Sequence, residues 1–247
     1  MGTLIVTGAS RGIGAAIAQL AGQRGYAIAL NFSSGRAEAQ KVADEIVAAG
    51  GRALPIRADI SREDQILALF QTAERELGPI KALVNNAGIT GGFARVENLT
   101  AEAIERTFAV SVTGAMLCGR EAVRRMSTRH GGSGGAIVNI SSRAAHTGAA
   151  GEWVHYAASK GAIDSFTIGL AREVATEGIR VNAVAPGLTD TGLHAANGEP
   201  GRLQRLLPTI PMNRPGLPLE IAEGVLWLLS PAASYVTGAI LEMGGGR

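Results

Sequence analysis

The sequence predicts an α/β fold in which about seven parallel strands form one doubly wound sheet covered by helices on both faces. Short β-branched runs alternate with longer helix-patterned stretches from one end of the chain to the other. The strand runs are apolar on both faces, as strands buried between two helical layers are. The first run passes into a glycine-rich turn and then a helix, a connection suited to holding phosphate at the helix N-terminus. No linker or composition shift interrupts the rhythm, so residues 1–247 are expected to form a single domain.

Strands are expected at 3–7, 26–31, 53–57, 82–85, 136–140, 180–185 and 240–242. Gly50-Gly51 closes a helix that starts near Arg36, and Gly78-Pro79 closes the next, whose start carries Ser61 and Asp64 in capping-box spacing. Thr100 is the expected N-cap of a long helix running towards Arg129, and a glycine-rich turn at 130–135 leads into the fifth strand. Another long helix is expected at 154–177. The stretch 190–218 has no clean period and, after Pro200, collects Pro208, Pro211, Pro215 and Pro218, so it reads as an insertion able to close over a site. The segment from Ser234 to Arg247 is expected to close the sheet.

Composition excludes several classes. Twenty-three Lys and Arg against 21 Asp and Glu leave a net charge of +2, too little for the basic stripe of a nucleic-acid binder. Aromatic residues make up 4%, which offers little for bases to stack on. The single Cys118 permits neither an internal disulfide nor a CxxC zinc site, and it reads as a packing residue inside the long helix. The four histidines show no metal-ligand spacing, so no metal is expected. No apolar stretch is long enough to span a membrane, and the N-terminus lacks the pattern of a signal peptide, so a cytoplasmic location is expected.

Two motifs carry chemistry. In Thr7-Gly8-Ala9-Ser10-Arg11-Gly12-Ile13-Gly14 the glycines permit a tight turn and close backbone approach to a pyrophosphate, although a plain βα connection would use them too. In Tyr156-Ala-Ala-Ser-Lys160 the i, i+4 spacing puts a phenol and an ammonium on one helix face. A cation there would lower the phenol from its ordinary value near 10 into range for acid/base work, while a solvated helix face is the plainer reading of the same spacing.

These motifs occur in order with Asn85-Asn86-Ala87-Gly88 after the fourth strand, Ser141-Ser142 after the fifth and Pro186-Gly187 after the sixth. All fall at carboxyl ends of strands, where open α/β sheets bind ligands. With these residues the chain resembles the short-chain dehydrogenase/reductase family along essentially its whole length, and it looks most like 3-oxoacyl carrier-protein reductases and glucose 1-dehydrogenases. The resemblance implies a Rossmann fold and reversible hydride transfer between a nicotinamide dinucleotide and a small-molecule carbonyl or secondary alcohol. It implies that Ser142, with Ser141 as its rival, bonds the substrate oxygen, that Tyr156 exchanges its proton, and that Lys160 holds the nicotinamide ribose and lowers the tyrosine pKa. It assigns Gly8, Ser10, Arg11, Gly12, Ile13 and Gly14 to the pyrophosphate turn, and Asp59 and Ile60 to the adenine, with a strand-end cap as the other reading of Asp59. Asn86, Ala87 and Gly88 fall to the cofactor's ribose side, and Pro186, Gly187, Thr189 and Thr191 to the nicotinamide end. Asn85 is implied to tie the central strands together. A homotetramer is implied, with the helices near 101–129 and 154–177 in one interface and the C-terminal strand region in another.

The end of the second strand bears on cofactor choice. A carboxylate there would accept from a free ribose 2′-hydroxyl and repel a 2′-phosphate. The stretch reads Asn31-Phe32-Ser33-Ser34 with no acid, and Arg11 and Arg36 supply donors, so NADP(H) is expected over NAD(H), with Arg11 as a solvated loop residue the competing reading. Ser111 stands where the family commonly carries an asparagine that holds a water in the proton path from the lysine. A hydroxyl lacks the amide's second polar atom, and Ser111 and Thr113 could equally bond back to the preceding helical turn. That departure motivates an alternative reading, a binding protein that senses NADP(H) without catalysis. His146, Trp153 and His155 are candidates to shape the substrate pocket, and Leu203, Leu206 and Leu207 form either a face over the substrate or an oligomer contact.

Overall fold

A computed structural model describes residues 1–192 and 201–247, so part of the expected insertion, 193–200, lies outside the described residues. Seven strands form one sheet in the order β3-β2-β1-β4-β5-β6-β7, every neighbouring pair parallel. They are β1 (Thr3–Val6), β2 (Ala27–Phe32), β3 (Arg52–Arg57), β4 (Ile80–Asn85), β5 (Gly135–Ile140), β6 (Ile179–Pro186) and β7 (Ile240–Met243), each at the place expected from its apolar run. β1, β2 and β4 to β6 are almost wholly buried, which is why they read as continuous apolar stretches rather than alternating ones.

The helices divide between the two faces. On one, α1 (Gly12–Gln23) and α2 (Arg36–Ala48) pack with the helix Pro218–Leu229 over Leu4, Val6, Ile28, Leu30 and Val138. On the other, α3 (Glu63–Leu77), α5 (Gly114–Met126) and α7 (Val154–Glu173) cover Ile5, Ala29, Leu83, Ile137 and Val181. The central strands therefore send alternate side chains into one core and then the other. Strand order reverses direction between β1 and β4, and a crevice opens at their carboxyl ends.

Local details depart from expectation in three places. The helix expected from Thr100 begins as predicted, its hydroxyl accepting from Ala103 N at 3.1 Å, but it is not uniform. α4 (Ala101–Phe108) passes into one π-helical turn, Ala109–Thr113, before α5 continues. Ser61 and Asp64 do not form a capping box. α3 starts one residue past the extended Arg62, and Ser61 turns back so that its N–H and hydroxyl both donate to Asp59 Oδ1 at 2.9 and 2.7 Å. A charged acceptor two residues away outcompetes the helix end for the same donors. The helix expected over 154–177 ends at Glu173 and finishes as a tighter turn, Ala175–Glu177. In the proline-rich stretch, α6 (Ala144–Thr147) having preceded α7, α8 (Arg202–Leu206) is followed by a parallel bridge of Thr189 with Gly216 and by α9 (Pro218–Leu229).

Candidate active site

The glycine turn is shaped by what stands against it. Gly8 and Gly12 have φ of +63° and +58°. A Cβ on Gly14 would lie 2.5 Å from both Asn86 Nδ2 and Gly8 O, so only glycine fits there. Two amides, buried Asn31 and half-buried Asn86, fasten the turn to the strands. Asn31 Oδ1 accepts from Gly8 N (3.2 Å) while its Nδ2 donates to Ala58 O (3.0 Å), and Asn86 Nδ2 donates to Thr7 O and Gly8 O at 2.8 and 3.0 Å. Thr7 Oγ1 accepts from the N–H groups of Asn86 and Ala87 at 2.9 and 3.0 Å. Asn31 and Asn86 thus hold the turn in shape. α1 opens beyond Arg11 with no side-chain cap and no acid in its first turn, so its N–H groups and positive dipole end face the crevice.

The crevice is a cleft of about 410 Å³. It brings together Gly8, Ser10, Arg11, Gly12, Ile13 and Gly14 from the turn, Asn31, Phe32, Ser33 and Ser34 from the end of β2, and Asp59 and Ile60 beyond β3. Asn86, Ala87 and Gly88 line it beyond β4, with Tyr156, Lys160 and Thr191 at the other end. Arg106, which no motif singled out, also lines it, and donates to Asp59 Oδ2 at 3.2 Å and to Ser61 Oγ at 2.9 Å. Burial pushes the Asp59 carboxyl up, but the bonds from Ser61 and Arg106 outweigh it and hold it below the ordinary carboxylate range. A second hollow, between α1, α2 and the start of α9, carries one ionisable residue, Glu45, already bonded to Gln19 at 2.6 Å.

Pro186 ends β6, and Gly187 and Thr189 follow it, held by contacts within the fold. Pro186 O accepts from Arg143 N at 3.0 Å, Gly187 lies so close to Gly244 that a Cβ would be 2.6 Å from its Cα, and Thr189 Oγ1 turns to Gly187 O at 3.3 Å. Asn85 Nδ2 donates to Asn139 Oδ1 (2.9 Å) on β5 and to Ala115 O (3.0 Å) on α5, a tie across the central strands.

At the reactive end, Ser142 follows β5 and its Oγ accepts from Ala144 N at 3.1 Å, and its side chain faces the Tyr156 phenol and favours the phenol's ionised form. Ser141 is turned the other way, buried with its hydroxyl 3.5 Å from Lys160 O. Lys160 is buried, donates to Ile140 O at 2.6 Å, and stands 5.6 Å from the centroid of the Tyr156 ring. Burial pulls the Lys160 ammonium down to about 8 against the attraction of Asp164, one helical turn away. The expected lowering of Tyr156 is not seen. Burial pushes its phenol above the ordinary value, and Ser142 and the charge of Arg202 oppose this only in part. Lys160 does not offset this, because burial has it lose its proton near 8, before the phenol ionises.

Ser111 sits in the π-helical turn, buried, and accepts from Ile89 N at 3.4 Å. A Cβ on Gly88 would be 3.4 Å from Ser111 Oγ and 3.5 Å from Lys160 Nζ, so both groups converge on one backbone position. His155 packs away from the cleft against Gly91 and Thr107, and burial lowers its pKa. His146 is exposed, 3.8 Å from Asp164. Trp153 is buried, edge to face with Phe93 and Tyr156 at centroid separations of 4.7 and 6.2 Å. Cys118 is buried and its thiol is pushed up to about 12, as suits a packing residue.

A parallel sheet with a glycine cradle at its switch point and a Ser, Tyr and Lys group beside it defines an oxidoreductase of the dinucleotide-binding kind. The family model described as enoyl-(acyl carrier protein) reductase matches residues 8–247. An uncharacterized oxidoreductase of Escherichia coli, YgfF, is 52% identical over 247 residues, all of both chains. Glucose 1-dehydrogenase 2 of Bacillus subtilis is 38% identical, with 99% of this chain and 93% of that one covered. A solved 7α-hydroxysteroid dehydrogenase, complexed with NADH and 7-oxo-glycochenodeoxycholic acid, superposes with a TM-score of 0.92 at 33% identity, covering 99% of this chain and 93% of that one. The chain belongs to the short-chain dehydrogenase/reductase family and is an oxidoreductase of alcohol and carbonyl groups.

Proposed function

We propose that the protein transfers a hydride reversibly between NADP(H) and a small ketone or secondary alcohol, and that Ser142, Tyr156 and Lys160 carry the protein's share of the reaction. The carrying observation is a cleft lined by the glycine cradle at one end and by Tyr156 and Lys160 at the other, the Lys160 ammonium 5.6 Å from the Tyr156 ring centroid, with Ser142 beside the phenol. The relative complexed with NADH shows that this scaffold takes a nicotinamide cofactor in that protein. The cradle suits the pyrophosphate, since it offers an uncapped helix N-terminus and a position where a side chain would fill the space. When bound, the dinucleotide supplies or accepts the hydride, and the remaining work falls to side chains.

Ser142 donates to the substrate oxygen and polarises the carbonyl. Tyr156 gives its proton to that oxygen as charge develops there, and takes it back in the oxidation direction. The raised phenol stays protonated at neutral pH and is therefore poised as the acid of carbonyl reduction. Lys160 holds the ribose and, below about pH 8, lends positive charge beside the phenol, and Ser111, sharing its Gly88 position, passes protons to it. The preference for the 2′-phosphate rests on exposed Ser33 and Ser34 with Arg11, and on Arg57, whose Nε donates to Ser33 O at 3.3 Å. Pro186, Gly187 and Thr189 act through the backbone that carries Thr191 to the nicotinamide end. We further propose a cytoplasmic homotetramer of single-domain chains, with residues 190–192 and 201–218 of the expected insertion facing the substrate. No helix among the described residues is long and apolar enough to cross a membrane.

The test is NADPH and NADH consumption at 340 nm across ketones, acetoacetyl thioesters, diketones and quinones, with the reverse assay on glucose and secondary alcohols. Turnover is expected in at least one arm, lost in Tyr156→Phe with cofactor affinity little changed. NADH used ten times better than NADPH would refute the cofactor assignment. Tight NADPH binding without turnover would favour a sensor over an enzyme.

A further inference from the structure

α8 comes from the stretch with no sequence period, yet charged contacts tie it to the start of the catalytic helix α7. Arg202 is only 7% exposed. Its Nε and Nη2 donate to Glu152 Oε2 at 3.1 and 2.6 Å, and Arg205 takes Glu152 Oε1 at 2.8 Å. The Arg202 guanidinium carbon stands 4.4 Å from the centroid of the Trp153 ring, and Trp153 meets the Tyr156 ring edge to face. Glu152 is itself held, since its carbonyl accepts from Ala94 N and its N–H donates to Ala149 O, both at 3.1 Å. An unbroken run of contacts therefore leads from α8 through Glu152 and Trp153 to the phenol ring.

On an open surface such ion pairs count for little. Here one guanidinium is buried between a carboxylate and an indole face, where its planar fork and weak hydration suit it and a lysine would not. Removing one buried partner leaves the other unpaired, so the contact has a preferred state.

We propose that Arg202 is a positioning residue of the reaction, latching α8 onto Glu152 and Trp153 and through Trp153 holding Tyr156 in its reactive setting. The proposal rests on Tyr156 being the acid/base. The same placement puts a positive charge near the phenol that favours its ionised form. The groups that bear on Tyr156 are Ser142 beyond β5, Lys160 on α7 and Arg202 on α8, with Glu152 partnering Arg202 and Arg205, while His155 is turned towards Gly91 and Thr107. Loss of Arg202 removes a cation and leaves Glu152 with Arg205 alone. Both changes raise the phenol.

The experiment compares full-length Arg202→Met, Arg202→Lys and Glu152→Gln with the parent, after circular dichroism has shown each to be folded. Ultraviolet titration of tyrosinate, with each protein referred to its Tyr156→Phe counterpart, separates Tyr156 from Tyr26 and Tyr235 and needs neither substrate nor cofactor. In Arg202→Met the Tyr156 titration is expected to move up by about half a unit or more, and in Arg202→Lys by less. In a Trp227→Phe background Trp153 is the remaining tryptophan, and its emission is expected to change in both Arg202→Met and Glu152→Gln. A folded Arg202→Met whose titration and emission match the parent overturns the proposal. If that variant does not fold, unchanged Trp153 emission in Glu152→Gln overturns it instead. Turnover surviving in Tyr156→Phe would remove the acid/base assignment itself, a failure distinct from these.

Discussion

Single residues show how far the site is built against stability. Lys160 is buried with its ammonium lowered to about 8, whereas in the unfolded chain it titrates near 10.5. Below pH 8 the folded protein must carry a buried charge, and that penalty fades as pH rises from 8 towards 10.5, where the unfolded chain binds more protons than the native one. Lys160→Met should therefore stabilise the protein at pH 7 by the order of 1–2 kcal/mol, after about 1 kcal/mol is lost with the bond to Ile140 O. Urea unfolding at pH 7 and pH 10 checks this, and a gain as large at pH 10 as at pH 7 would contradict it. Ser111→Asn should raise turnover if the shorter hydroxyl limits proton supply to Lys160. An unchanged or lower kcat would mean that the hydroxyl suffices.

At the scale of elements, the β1–α1 turn and the π-helical turn carry the site. Gly14→Ala would push a methyl group to 2.5 Å from Asn86 Nδ2 and Gly8 O, both fixed by the same hydrogen bonds that shape the cradle. Its expected cost is about 2–3 kcal/mol in stability, together with a larger loss of dinucleotide affinity, read by urea unfolding and by fluorescence titration with NADPH. A Gly14→Ala protein with parental affinity would show that the cradle does not contact the cofactor. Much of this scale was legible in the chain. Apolar runs located all seven strands, most plainly β1, β2 and β4 to β6, because a strand covered on both faces tolerates little else. What the sequence hid was settled by partners far away. Ser61 looked like a cap until Asp59 and Arg106 claimed that corner, and Arg106 and Arg202 went unread because their carboxylates lie 47 and 50 positions away. The π turn that carries Ser111 has no pattern of its own.

The whole molecule leaves apolar side chains uncovered where the proposed tetramer would need them. Ile104 on α4, Met116 on α5 and Val154 on α7 are exposed, and Tyr235, beside the C-terminal strand, is fully so. Light scattering is expected to give about four chain masses, and Tyr235→Glu to reduce it. A parental monomer would rule the assembly out. The sheet order has a kinetic consequence as well. β1 to β3 form one parallel group and β4 to β7 another, and the two meet along the register that sets Val6 against Val84. The β1–β4 seam joins residues further apart in sequence than any other neighbouring pair, Val6 with Val84 against Ala183 with Ile240 at β6–β7. The cofactor cleft straddles that seam. Binding therefore acts as a clasp across that joint, so NADPH should slow unfolding in urea, and an unchanged unfolding rate would show that the cofactor does not hold the two groups together.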